Sequence, residues 1–549
     1  MKKKASVPVE KNKRYVMKID SLANAGEGVG KIDGFTIFVE GALPQEEIEV
    51  LIVKVKKHFA YGKLQKIMTP SPERAEPLCS VSAMCGGCQL QHLSYAGQLE
   101  YKTKKVEEAL KRIGKIEDAK VLPAIGMQYC WRYRNKAQFP VKNAKGKLEI
   151  GFYGKRSHRI IDTEKCFLQK EISDEVIAAV RGFLEEYHIS IYNEQMHKGL
   201  IRHILVRVGF HSGQVMVCIV ANGKQLPHCD ALIKKLKNIK GMASIVLNEN
   251  REKTNVILGQ KNHLLWGKAY IEDSIGSLVF EISPLSFFQV NPVQTKLLYE
   301  KALEMAQLKG NETVLDLYCG IGTISLFFAQ KAKKVIGVEL VPEAIADAKR
   351  NAEKNHIENA AFFVGAAEDV IPLFYQKGLR ADVIVVDPPR KGCDDKVIET
   401  MIEMNPKKIV YVSCDPSTMA RDVSKLKQAG YALIAVQPVD QFPMTNHVET
   451  VVLLSQQKPD DTIEIDLDLD ELDATAAKTK ATYEEIKAYV WEKHNMKVSS
   501  LYISQVKRKC GLEVGQNYNL SKSENPKVPK CPTEKEAAIM DALKHFQMI

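Results

Sequence analysis

Residues 314–326 read VLDLYCGIGTISL: an apolar run, a turn holding Gly320 and Gly322 just after Tyr318, then a helical pattern. A strand that ends in such a turn presents backbone N–H groups at the edge where open α/β sheets take their ligands, and glycine lets the chain approach a ligand closely. The next apolar run, 334–338, is followed by Glu339, an acid placed to accept hydrogen bonds from two ribose hydroxyls. The turn lacks the G-x-G-x-x-G spacing of a dinucleotide site, with Ser325 where the third glycine would fall, and it lacks the GK[ST] ending of a phosphate loop. A nucleoside without phosphates fits this turn better than either.

Working outward, apolar runs at 313–317, 334–338, 361–364, 383–386 and 408–412 alternate with helical patterns between about 282 and 454. That alternation predicts a doubly wound parallel sheet. Two further stretches, VVDPPRKG at 385–392 and VYVSCDP at 410–416, begin in apolar runs and turn at proline, so Asp387 and Cys414 belong to the same sheet edge as the glycine turn. FPMTNHVETV at 442–451 adds Glu449. A buried cysteine is usually a small inert hydrophobe, but one at a strand-to-loop junction on a ligand edge reads as a nucleophile. His203 and His447 read as structural or supporting groups.

The chain has 549 residues, 45% hydrophobic and 26% charged, enough for three or four domains. No apolar run approaches the ~18 residues of a membrane span, and the Lys-rich start is followed by no signal-like apolar stretch, so a cytoplasmic protein is expected. Twelve cysteines in that compartment are thiols, metal ligands or nucleophiles before they are disulfides. The net charge is +11 although residues 460–473 hold eight acids, so the remainder carries about +19, which suits a polyanionic partner.

Residues 14–70 show short alternating runs punctuated by glycine and decorated by Lys54, Lys56, Lys57, Lys63 and Lys66, with Phe59 and Tyr61 between them. They predict a small β-barrel suited to single-stranded nucleic acid. Cys79, Cys85 and Cys88 are spaced C-x5-C-x2-C and Cys166 follows at a distance; on spacing alone zinc and an iron–sulfur centre both remain open. CWRYRNKAQF at 130–139 interleaves Trp131 and Tyr133 with Arg132, Arg134 and Lys136, either a base-stacking and phosphate-neutralising strip or an amphipathic strand. Strands are also expected at 136–141, 148–153, 203–210 and 214–220, and a helix at 95–113. The alternating 463, 465, 467 and 469 positions within the acidic stretch suit an edge strand or, more simply, a solvated linker. Residues 499–509 (SSLYISQVKRK) form a basic helix, for recognition or merely solvated.

The glycine turn with its ribose acid resembles the S-adenosylmethionine site of class I methyltransferases. The set DLYCGIG, DPPRKG, VSCDP and FPMTNHVE, in that order, resembles the RNA uracil-C5 methyltransferase family over about residues 14–456, most closely its 23S rRNA branch with an N-terminal TRAM barrel. That resemblance implies a fold of several domains: a TRAM barrel at 8–70, an α+β central domain at 71–265 whose helix 95–113 packs on the catalytic domain, and an α/β methyltransferase domain at 266–456; outside the family pattern, the acidic run reads as a linker at 457–476 and residues 477–549 as a basic helical accessory module. It implies Cys414 as the nucleophile on uracil C6, Glu449 as the base for the C5 proton, and Gln289, Tyr318, Glu339 and Asp387 around S-adenosylmethionine, beside Gly320 and Gly322. It also implies a [4Fe–4S] cluster on Cys79, Cys85, Cys88 and Cys166, a ribosomal RNA substrate, and no obligate protein partner. Arg390 follows the proline pair, where amine-methylating enzymes usually carry an aromatic residue. A tRNA substrate, or a non-catalytic RNA-binding or assembly role, are the other readings.

Overall fold

In a computed structural model, which describes residues 7–144, 146–456, 483–510, 512, 531–546 and 548, the strand Thr313–Leu317 lies at the centre of a seven-stranded sheet. Its order is Ala360–Val364, Lys334–Glu339, Thr313–Leu317, Val383–Val386, Lys408–Ser413, Glu449–Ser455 and Ala432–Val439. The first five strands are parallel; Glu449–Ser455 runs against them, and Ala432–Val439, paired antiparallel to it, runs with the five. Val314, Leu315, Ile384, Val385, Val410 and Val452 are fully buried, as continuous apolar runs covered on both faces require. The chain leaves Thr313–Leu317 toward one side and returns to its other side with Val383–Val386. That reversal is the point at which such sheets open a crevice.

Helix Tyr95–Arg112 belongs by sequence to the cysteine segment but buries Val106, Ala109 and Leu110 in the core of this sheet, beside Met419, Ala420 and Val423 of helix Pro416–Gln428. A second seven-stranded sheet runs in the order Lys261–Gly267, Met242–Glu249, Val215–Ala221, Ile201–Val208, Lys136–Ala144, Lys147–Tyr153, Ile160–Asp162, with helices Glu171–Glu186 and Cys229–Leu236 packed on one face. Strands Arg14–Leu22, Gly28–Ile32, Phe35–Glu40, Glu47–Val55 and Phe59–Thr69 close into the expected barrel around Ile37, Val39, Ile48, Val50 and Ile52. Phe38, Phe59 and Tyr61 form a ring cluster with centroids 5.4–5.9 Å apart.

The chain divides into two compact units, 1–462 and 463–549. In the second, helices Tyr483–His494, Ser500–Lys509 and Thr533–His545 share a core of Ile486, Val490, Ile503, Val506, Ile539 and Leu543. The Ser499 hydroxyl accepts from the Tyr502 N–H at 3.3 Å and caps the basic helix. The acidic segment 457–476, with its expected edge strand or linker, lies outside the described residues. Among the described residues no helix is long and apolar enough to cross a membrane.

Candidate active site

The turn after Thr313–Leu317 is sharply bent: φ is +67° at Tyr318, +55° at Gly320 and +84° at Gly322. A tyrosine in the left-handed region is strained and is held there by its surroundings. A Cβ added at Gly320 would meet nothing within 4 Å, whereas one at Gly322 would lie 3.1 Å from the Phe362 ring and 3.2 Å from Ala348. Gly320 leaves room for a ligand; Gly322 lets helix Thr323–Ala329 pack. Glu339 steadies the turn, accepting from the Gly320 N–H at 3.1 Å and from the Val341 N–H at 3.0 Å.

A cavity of about 600 Å³ opens at the reversal point, and Gln289, Tyr318, Gly320, Glu339, Asp387, Cys414 and Glu449 all line it. Of the residues singled out around the donor, only Gly322 stands outside its walls. The volume is that of a typical small-molecule site.

Register brings Cys414 and Glu449 together. Strands Lys408–Ser413 and Glu449–Ser455 pair with Val412 opposite Val451 and Ser413 opposite Thr450. The ladder ends there; Cys414 leaves the first strand just beyond that rung and Glu449 begins the second just before it, so the two enter the same cavity within electrostatic reach of each other. Cys414 also precedes helix Pro416–Gln428, whose cap Asp415 accepts from the Ser417 N–H at 2.8 Å. Such a helix start favours negative charge. Glu449 is 3% exposed and its Oε2 has no hydrogen-bond partner.

The protein alone holds this cavity against negative charge. Burial, reinforced by Glu449 and Asp387, pushes the Cys414 thiol up to about 12, with Arg390 opposing. Burial raises Asp387 to about 6; burial and then Asp387 raise Glu449 to about 8, again against Arg390. Two carboxyls and a thiol crowded together cannot all ionise without a cation beside them.

The loop 440–448, which delivers Glu449, is pinned from three sides. Lys102 of helix Tyr95–Arg112 forms a fully buried ion pair with Asp440 and donates to the Phe442 carbonyl at 3.0 Å. Gln98 Oε1 accepts from the Met444 N–H at 2.9 Å. Lys105 Nζ donates to the Asn446 carbonyl at 2.7 Å and to the Asn24 carbonyl of the barrel at 2.9 Å, and the Tyr101 hydroxyl donates to the carbonyls of Ala23 and Asn24.

From the cysteine segment, the Gln89 and Leu90 N–H groups donate to the Met444 carbonyl at 3.0 and 3.1 Å. Cys79 and Cys85, Cys85 and Cys88, and Cys88 and Cys166 lie within electrostatic reach of one another. Gly86 permits the tight path: its N–H donates to the Tyr153 carbonyl at 2.9 Å and a Cβ there would strike that same oxygen. Thiols from two segments fit an iron–sulfur or zinc centre in kind and neighbourhood. Among the described residues, however, no three His, Cys, Asp or Glu side chains close around one point.

The strip at 130–139 is less open than its pattern implies. Arg132 Nη1 is engaged by the Cys166 and Gln169 carbonyls and by Asp174 at 2.8–3.1 Å, and its guanidinium lies over Phe167, on which Trp131 also packs edge-on. Arg134 lies against the Tyr133 and Phe442 rings, and burial with Arg207 nearby lowers Lys136 to about 7. The partners that hold these cations inside come from distant segments. Phe287, Arg390, Phe442 and His447 also line this cavity without a place there in the sequence reading, although Arg390, Phe442 and His447 lie inside the quoted motifs.

A doubly wound sheet whose reversal point joins a glycine turn with Glu339, Asp387 and Glu449 in one cavity has the architecture of an S-adenosylmethionine-dependent methyltransferase. The chain belongs to the family described as tRNA (Uracil-5-)-methyltransferase, whose profile matches residues 94–457, and a TRAM domain profile matches residues 8–64. It is 53% identical over 453 residues to an uncharacterized RNA methyltransferase of Clostridium tetani, covering 82% of this chain and 98% of that one, and 52% identical over 452 residues to another from Halalkalibacterium halodurans, covering 82% and 99%. Among solved structures it is similar to the Pyrococcus abyssi tRNA (uracil-54, C5)-methyltransferase in complex with S-adenosyl-L-homocysteine, at 31% identity and a TM-score of 0.65, over 80% of this chain and all of that one. The protein is thus an RNA methyltransferase that uses S-adenosylmethionine.

Proposed function

We propose that the enzyme methylates C5 of a uridine in 23S ribosomal RNA through a covalent adduct on Cys414. The single observation that carries the reading is the meeting of Cys414 and Glu449 in one cavity, within electrostatic reach of each other and with a Glu449 oxygen buried and unpartnered. Uracil C5 is a weak nucleophile; addition of a thiolate to C6 turns the ring into an enolate whose C5 can take a methyl group. The Cys414 proton must leave first, and Arg390 together with the incoming sulfonium supplies the positive charge that the buried thiol lacks. After transfer, Glu449 removes the C5 proton and the C6–S bond breaks, freeing Cys414. Gln289, Tyr318, Gly320, Glu339 and Asp387 hold the donor, with Glu339 facing its ribose.

The test follows 5-methyluridine and tritium release from C5-labelled uridine in unmodified ribosomal and transfer RNA. Cys414→Ala is expected to form no adduct, while Glu449→Gln methylates once and stays attached to RNA on a denaturing gel. A Cys414→Ala enzyme that turns over freely overturns the mechanism. The tRNA reading is kept because the Pyrococcus abyssi relative acts on tRNA by its name; methyl transfer to tRNA alone would establish it.

We assign Cys79, Cys85, Cys88 and Cys166 to a [4Fe–4S] cluster with a bracing role, supported by their neighbourhood and by the backbone bonds from Gln89 and Leu90 to Met444. Anaerobically purified protein should contain iron and sulfide and absorb in the visible; protein holding zinc or no metal refutes the assignment.

A further inference from the structure

Away from the donor cavity, the central sheet carries a second one, of about 440 Å³. Its floor is an irregular rung: Val220 pairs with His203 but Ala221 pairs with Ile201, leaving Arg202 as an extra residue on its strand. A β-bulge of this kind re-aims side chains that would otherwise alternate between faces. Arg202 and His203 accordingly both line the cavity, at 6% and 7% exposure. Each carries a buried nitrogen with no partner, Arg202 Nε and His203 Nδ1. Such atoms are costly unless something bonds to them.

The walls favour a flat neutral ring over a phosphate. Arg202 Nη1 already donates to the Asn250 and Glu252 carbonyls at 2.9 and 2.7 Å, and its guanidinium lies 4.5 Å from the Tyr192 ring centroid. Burial, with Arg202 beside it, lowers His203 to about 4, so that imidazole is neutral and offers a hydrogen bond without charge. Tyr153 and His158 pair edge-on at 5.6 Å on the opposite wall. Tyr153 also lines a third cavity, which includes Glu27 of the barrel side and Gly86 of the cysteine segment, and His447 lines both that cavity and the one holding Cys414. The three cavities are therefore neighbours, with His447 and Tyr153 as the walls they share.

We propose that this second cavity receives an unpaired nucleobase of the substrate RNA, stacked on Tyr153 or Tyr192 and read by Arg202 Nε and His203, and that it selects the site to be methylated. The proposal rests on the RNA-methylating activity and is independent of which base is methylated. A base held by one ring and one edge contact contributes to affinity more than to the chemical step, so its loss raises the KM for RNA by about tenfold with little change in kcat.

The test compares the full-length enzyme with His203→Phe, which keeps the ring but loses its nitrogens, and with Gln195→Trp, which fills the cavity from an exposed wall. Methyl transfer from tritiated S-adenosylmethionine into unmodified ribosomal and transfer RNA gives KM and kcat. In parallel, single-stranded 12-mers of random sequence carrying 4-thiouridine or 6-thioguanosine are photo-cross-linked to the protein and the labelled peptide is identified. A tenfold higher KM in both variants, with a wild-type cross-link at the Tyr153 or Tyr192 peptide that Gln195→Trp abolishes, supports the proposal. An unchanged KM in both, or cross-links that bypass these peptides, overturns it. Should C5 tritium release fail in every RNA, the uracil mechanism falls, and the cross-link still decides the cavity.

Discussion

S-adenosylmethionine brings a sulfonium cation into a cavity where burial holds Asp387 up to about 6 and Glu449 up to about 8. A cation and a proton compete for such a site, so donor binding must expel a proton. The sign follows: affinity is full above the raised pKa values and falls as pH drops through them. Because Asp387 helps to raise Glu449, which is already protonated below about pH 8, the pair should release one proton rather than two, and the donor dissociation constant should rise about tenfold per pH unit below about pH 6, close to 1.4 kcal/mol per unit. Titration calorimetry from pH 5.5 to 8, in two buffers of different ionisation enthalpy, measures both the affinity and the protons released. Asp387→Asn should weaken binding at pH 8 and flatten its pH dependence. Affinity that is level with pH and independent of buffer, or a slope that survives in an Asp387→Asn, Glu449→Gln double variant, would show that these carboxyls do not face the sulfonium.

Lys102→Ala leaves Asp440 buried without its charge partner, although one Asp440 oxygen already lacks a hydrogen bond, and should cost about 3–5 kcal/mol. The double change Lys102→Met, Asp440→Leu should recover most of that loss in denaturant titrations, and equal losses in both variants would count against a charge-pair origin. Gly320→Ala and Gly322→Ala should separate by readout. Both force alanine into positive φ, but Gly322→Ala also presses on Phe362 and lowers the melting temperature further, while Gly320→Ala weakens donor binding more. The reverse ranking would exchange the two roles.

The parallel half of the catalytic sheet was legible because its strands are apolar throughout; 313–317 and 383–386 match the observed Thr313–Leu317 and Val383–Val386. What apolar runs cannot convey is neighbourhood. The insertion of Glu449–Ser455 between Lys408–Ser413 and Ala432–Val439 is a long-range pairing, and it brings Glu449 to the sheet end from which Cys414 leaves. The inward engagement of the basic strip was hidden for the same reason: Asp174 and Phe167, which hold Arg132, are more than thirty residues away. Arg390 was visible as a departure from an aromatic position, but its electrostatic reach to both Cys414 and Glu449 is a property of the folded cavity. The bulge at Arg202 has no sequence signal, since proline and glycine are absent from its rung.

The ammonium of Lys105 fastens the barrel carbonyl of Asn24 and the loop carbonyl of Asn446 to the same helix. One ammonium thus ties the barrel's edge to the cavity's wall: a shift of the Asn24 turn would reach, through a single side chain, a backbone atom three positions before Glu449.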